Sequence, residues 1–177
     1  MCRLVTIQSF LSFLLLPLVF FGHAELARAQ TLPNGGKAIY TLINGSTLTD
    51  ECIICGRPTI PVPIRGTFEL RLLSQGPFFL NYAVENISFA GGQFGGSAYT
   101  VSGHGTFRIG GELAVQQDLE LELTIDNGIT NKICEFTNTM PMTSRLWPML
   151  QMGATQTNGT LVQQYSLILD AAPFRQI

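Results

Sequence analysis

The side chains best suited to chemistry in this chain are soft ligands: Cys52, Cys55, Cys134 and His104. The first two form a Cys-x-x-Cys in the stretch DECIICGRPTIPVPIRGTFELRLL, Asp50 to Leu73. Three chemistries use that spacing: thiol–disulfide exchange, half of a zinc site, or a structural bridge. A redox pair needs its first cysteine at a helix N-terminus, where the dipole lowers the thiol pKa. Here Pro58, Pro61 and Pro63 follow, and each pushes the residue before it toward extended geometry. No helix can start after the pair, so redox catalysis ranks last. Zinc would take Cys52, Cys55 and Cys134, with His104 completing a Cys₃His set. Against it, His104 and Cys134 stand alone on separate elements rather than as a second paired motif. The leading expectation is a structural disulfide of Cys134 with Cys52 or Cys55. It would close a loop of about 80 residues and stabilise by about 4 kcal/mol in the chain-entropy model. A Cys52–Cys55 bridge competes with it but closes a small loop and constrains little. The sequence does not choose the pairing.

Other groupings carry less. Asp118, Glu120 and Glu122 fall on one side of an alternating run, at the spacing of hydrolase carboxylate pairs. The same alternation describes any half-buried strand, so a solvated face is expected. A Ser-His-Asp triad would have to use His104, and no Gly-x-Ser-x-Gly frames Ser46 or Ser97. Met140, Met142, Met149 and Met152 cluster near Trp147. Thioethers suit Cu(I), but they also fill gaps under irregular loops, the reading favoured here. Asn44-Gly45-Ser46, Asn86-Ile87-Ser88 and Asn158-Gly159-Thr160 match the glycosylation triplet, which matters only in a eukaryotic secretory route. No constellation supports catalysis, and no cofactor is expected beyond the zinc alternative.

These residues are carried by a domain that follows a leader. Arg3, the apolar run Phe10–Phe21 and Ala27-Arg28-Ala29 read as residues 1–29 of a cleaved signal peptide, with Gln30 as the mature N-terminus. The run is short for a membrane span, which needs about 20 apolar residues; an uncleaved anchor is the alternative. No cysteine follows the cleavage site to take a lipid. The brief basic start and the Ala-Arg-Ala end are of bacterial type, so a periplasmic or extracellular domain is expected, in a compartment where disulfides persist.

The remaining 148 residues, 30–177, suffice for one domain with its own core. Removing Arg3, Arg28 and Glu25 from ten basic and twelve acidic residues leaves eight and eleven, a net charge of −3. There is no basic run, so neither nucleic acid nor an anionic membrane surface is an expected partner.

Apolar residues alternate with period two, best in Leu119-Glu120-Leu121-Glu122-Leu123-Thr124-Ile125. Asp126-Asn127-Gly128-Ile129 then predicts a type I′ hairpin returning along Thr130–Phe136. Further strands are expected over Ala38–Ile43, Gly66–Leu73, Tyr82–Phe89, Ala98–Ser102, Gly105–Ile109 and Gly159–Asp170. Gly-rich punctuation such as Gly95-Gly96 and Gly110-Gly111 separates many of them. Gly66-Thr67-Phe68, Gly105-Thr106-Phe107 and Gly159-Thr160-Leu161 look like a shared strand-starting cue. His104, between two glycines, reads as an exposed turn. Thr137–Gly153 lacks alternation and reads as a long connection, with one helical turn near Arg145–Leu150 and Trp147 as a buried anchor.

The expectation is therefore an all-β, exported domain: an antiparallel β-sandwich or compact β-barrel of about eight strands. Its function is structural or binding rather than catalytic, toward a protein or a small apolar ligand. Specificity is assigned to the loops Cys52–Arg65 and Thr137–Gly153. The alternatives are a zinc-binding exported protein and an eight-stranded outer-membrane barrel. Thin aromatic girdles and the lack of a terminal aromatic weigh against the barrel.

Overall fold

The computed structural model describes residues 36–56, 58–92, 98–111, 116–139, 141–142 and 145–174. The leader, the Gly95-Gly96 punctuation, the Ser97 context and Met140 lie outside them. The described residues form nine antiparallel strands and no helix. These are β1 (Lys37–Leu42), β2 (Thr47–Glu51), β3 (Val62–Gln75), β4 (Phe79–Gly92), β5 (Ala98–Gly110), β6 (Gln116–Asp126), β7 (Asn131–Asn138), β8 (Leu150–Gln156) and β9 (Gln164–Pro173).

All nine belong to one sheet, and that sheet closes into a ring. β1 and β2 share one place in it. Thr41 pairs with Thr67 and Thr47 with Pro63, so both strands run along β3. On their other side Leu42 pairs with Ala171 and Thr47 with Ile168, so both run along β9. The chain advances five residues there against three on β9, and the excess forms a kink at Ile43–Ser46. Nine strands thus fill eight positions, each paired with its neighbours in sequence, and β9 returns to β1–β2.

Period-two alternation is what closes the ring on a core. Leu119, Leu121, Leu123 and Ile125 of β6 point inward, as do Tyr82, Val84 and Phe89 of β4 and Leu167, Leu169 and Ala171 of β9. Each fully buried Leu or Phe contributes about 1.5–3 kcal/mol. The interior is filled: the void between Phe68, Val84, Phe107 and Leu169 measures about 10 Å³, room for one water at most.

Curvature comes from glycine. Gly103 and Gly105 occupy inward positions of β5, and a Cβ there would lie 2.1 Å from the Glu122 carbonyl oxygen and 2.0 Å from that of Glu120. Only glycine lets β6 approach so closely, and the sheet bends at this point. This corrects the sequence reading of His104 as a turn. Ala98–Ser102 and Gly105–Ile109 are one continuous strand, β5, with His104 at its middle. The supposed strand-starting cue is corrected too. Gly66 and Gly105 lie inside β3 and β5, and Gly159 lies in the β8–β9 loop.

The β6–β7 hairpin is present, but its turn differs. Asp126 pairs with Asn131 around a four-residue loop, with Gly128 at φ +81° and Asn127 not at positive φ. The Asn127 side-chain oxygen instead accepts bonds from the Ile129 and Thr130 amides at 3.0 and 2.7 Å, a side-chain substitute for a backbone turn. Near Arg145–Leu150 there is no helix, only a turn closed by the Met149 amide on the Leu146 carbonyl at 2.9 Å.

Candidate functional site

The eight positions alternate in direction, so the connections gather at two ends. β2–β3, β6–β7 and β8–β9 meet at one, and β3–β4 and β7–β8 at the other. The two loops singled out by sequence therefore sit at opposite ends.

At the first end Cys52, buried against the end of the core, is bridged to Cys55, which is exposed. Their Cα atoms are 5.4 Å apart, within the range a disulfide accepts. The bridge folds Ile53 and Ile54 into a protruding knuckle, 57% and 65% exposed. The amides of both isoleucines donate to the Leu161 carbonyl at 2.9 and 3.4 Å, fastening the knuckle to the β8–β9 loop. That loop is a turn closed by reciprocal bonds between Thr160 and Gln163, with Leu161 and Val162 exposed at its tip. Ile60, further along the same β2–β3 loop, is a third exposed isoleucine.

Beneath lies a polar network. Asp50 accepts from the Tyr99 hydroxyl at 3.4 Å and from the Gln163 side-chain amide at 3.2 Å; the same amide reaches the Tyr165 hydroxyl at 2.7 Å. Lys132 donates to Gln163 from β7. Burial, with Asp50 nearby, pushes the Tyr165 hydroxyl well above the ordinary phenol range. The network orders the loop base, because its donors and acceptors come from four strands and the loop itself.

Cys134 is a free thiol on β7, 1% exposed and facing the core. Burial pushes its pKa up, with Lys132 partly opposing, so it is held as the thiol. His104 projects from the outer face of β5. The structure therefore joins Cys52 to Cys55 and assembles neither the long bridge to Cys134 nor the Cys52, Cys55, Cys134, His104 ligand set. The thiol and the imidazole point to opposite sides of the sheet. Among the described residues no three His, Cys, Asp or Glu side chains are placed to share a metal.

The carboxylates behave as the alternation implies. Asp118, Glu120 and Glu122 all project outward from β6. Asp118 is bound by Arg108, whose Nε lies 2.7 Å from its oxygen. Glu122 stands between His104 and Glu135 in register, and Glu120 between Thr106 and Thr137. They line open polar grooves of about 410 and 540 Å³ on the outside of the sheet, bathed in solvent rather than set into a pocket. Of the glycosylation triplets, Asn44 lies in the β1–β2 kink, Asn86 at a bulge in β4 with φ +52°, and Asn158 in the β8–β9 loop.

At the second end the β7–β8 connection crosses the core. Trp147 stacks on Tyr82 at 5.7 Å, and Tyr82 on Phe107 at 6.3 Å. Arg145 pairs with Asp170 at 3.2 Å. This fits a packing anchor. Met152 is core as well, while Met142 is exposed.

Sequence reasoning singles out the Cys52–Arg65 loop that carries the knuckle but misses its apolar tip and the β8–β9 partner loop. The available signal was an apolar pair in each of two turns, Ile53-Ile54 and Leu161-Val162, where turn chemistry favours polar residues. Comparison with protein-family models, curated proteins and solved structures finds no match to this chain.

Proposed function

We propose that this is an exported, non-catalytic binding domain that meets its partner with the knuckle end. One observation carries the reading: Ile53, Ile54, Ile60, Leu161 and Val162 are all exposed on two loops hydrogen-bonded to each other. Adjoining exposed aliphatic side chains on ordered loops mark an interaction surface, whereas scattered ones do not. Export rests on the leader and on the Cys52–Cys55 bridge, which an oxidising compartment preserves.

The alternatives have less support. A carrier of small apolar ligands needs an interior cavity, and the void among the core residues Phe68, Val84, Phe107 and Leu169 is about 10 Å³. An outer-membrane barrel needs an apolar outer band. Instead, Ala98 apart, the outward positions of β5 and β6 are polar: Thr100, Ser102, His104, Thr106 and Arg108, and Gln116, Asp118, Glu120, Glu122, Thr124 and Asp126. A zinc protein needs ligands that converge, and the cysteines and His104 do not.

The test is affinity capture from the exported fraction of producing cells. Wild-type chain is compared with Ile53→Asp/Ile54→Asp and with Leu146→Asp at the far end. A bound protein should fall about tenfold or more with the double variant, the loss expected when central apolar contacts go. Leu146→Asp should retain it. Equal capture by all three would place recognition elsewhere on the molecule.

A further inference from the structure

The Cys52–Cys55 bridge is oddly placed for a stabilising crosslink. It closes a loop of sequence separation 3, so it removes little freedom from the unfolded chain. Strands on both sides are held without it: β2 by five pairs to β9, and β3 by its long ladder to β4. What the bridge does fix is local. It sets the shape of the Ile53-Ile54 tip, whose two amides are bound to Leu161. Its two residues also differ in access, since Cys55 is exposed and Cys52 is 7% exposed. A nucleophile from solvent therefore approaches the bridge from the Cys55 side. Exposed disulfides are the ones that exchange readily.

We infer that the bridge is a redox latch on the recognition tip, opened by a dithiol reductant and closed by a disulfide oxidant. This rests on the binding role proposed for the knuckle end. In opening, a reductant thiolate attacks the Cys55 sulfur and forms a mixed disulfide, and Cys52 leaves as a thiolate and takes up a proton. The second reductant thiol attacks its own partner sulfur and releases Cys55. The chain gains two thiols, and the reductant becomes a disulfide. Cys134 stays outside the exchange, because it is buried in the core and held as a thiol. Opening frees Ile53 and Ile54 from a fixed geometry while the ring persists. The latch therefore alters how the tip is presented, not whether the domain is folded.

The experiment uses the purified exported chain, with dithiothreitol as the probe reductant. Thiols are counted by alkylation and mass, and amide exchange is followed residue by residue. Cys52 and Cys55 should become alkylated while Cys134 is spared. The Ile53 and Ile54 amides should exchange about tenfold faster or more, while those of Leu121 and Leu123 keep their protection. Cys52→Ser/Cys55→Ser should reproduce the fast tip without reductant. The latch is overturned if the bridge opens only when the β6 amides also exchange, or if it opens and the tip amides do not change. The binding role fails separately, when Ile53→Asp/Ile54→Asp leaves capture intact; the exchange result does not bear on that outcome.

Discussion

Two glycines show how one residue type serves opposite needs. At Gly128 the backbone requires positive φ, and nothing lies within 4 Å of a Cβ placed there. At Gly105 the φ is ordinary, but a Cβ would lie 2.0 Å from the Glu120 carbonyl. Gly128→Ala introduces backbone strain alone and should cost about 1 kcal/mol. Gly105→Ala drives a side chain into a neighbouring strand's backbone, which cannot swing aside as a flexible side chain can. It should cost about 3 kcal/mol or prevent the ring from closing. Urea unfolding of both variants checks this, and equal losses would mean that Gly105 is not where the sheet bends. The same distinction explains why His104 misleads in the sequence. A glycine read for its φ suggests a turn, whereas this one is needed for space, and sequence alone does not separate the two.

At the scale of elements, the legible strands are those with one wet face and one dry face. β6 alternates without a fault, and its hairpin with β7 follows from that pattern. β8 alternates more weakly: Leu150, Met152, Ala154 and Gln156 are buried and Gln151 and Thr155 half-buried, with Gly153 alone buried out of turn. The Thr139 amide donates to the Gly153 carbonyl at 2.8 Å, which extends the β7–β8 ladder past Asn138. The inward face of β8 ends on a small residue and a polar one, Ala154 and Gln156, so the apolar signal is short and the sequence places its start in a loop. β2 is short and polar, and it holds its place through the kink before it. Ser46 Oγ donates to the Asp170 carbonyl at 2.8 Å and accepts from the Asp170 amide at 3.0 Å. The hydroxyl thereby satisfies the Asp170 amide and shares the Asp170 carbonyl with the Ile43 amide, which donates to it at 2.8 Å. Ser46→Ala should cost about 1–3 kcal/mol, the usual result of stripping partners from buried polar groups. A loss below about 0.5 kcal/mol in urea unfolding would show that solvent reaches Asp170 and replaces the serine. The cysteine pairing was illegible for a related reason. Chain-entropy reasoning favours long loops, while the choice made here follows from proximity at 5.4 Å within one loop and from Cys134 facing inward on another strand.

Ring closure is a property of the whole molecule, and three tyrosines report on it. Tyr40 comes from β1, Tyr82 from β4 and Tyr165 from β9, and each is no more than 1% exposed. β1 and β9 are neighbours only where the ring closes, and β4 stands beyond β3 on the other side of β1, so all three rings share one interior when the sheet is closed. Burial leads the causes that raise all three hydroxyls above the ordinary phenol range, Tyr82 to about 12. The unfolded chain ionises these groups near pH 10. Folded pKa values above unfolded ones mean stability fully present below about pH 10 and lost as pH rises, because the unfolded state sheds protons first. Each tyrosine should remove about 1.4 kcal/mol per pH unit between its unfolded and folded pKa. Urea midpoints should hold steady to about pH 9 and then fall steeply. Tyr82→Phe should make the fall shallower by about 1.4 kcal/mol per pH unit between pH 10 and 12. A profile that Tyr82→Phe leaves unchanged would mean that this phenol already ionises in the folded state. β4 would then not face a closed core, and the filled interior that argues against a small-ligand carrier would be lost with it.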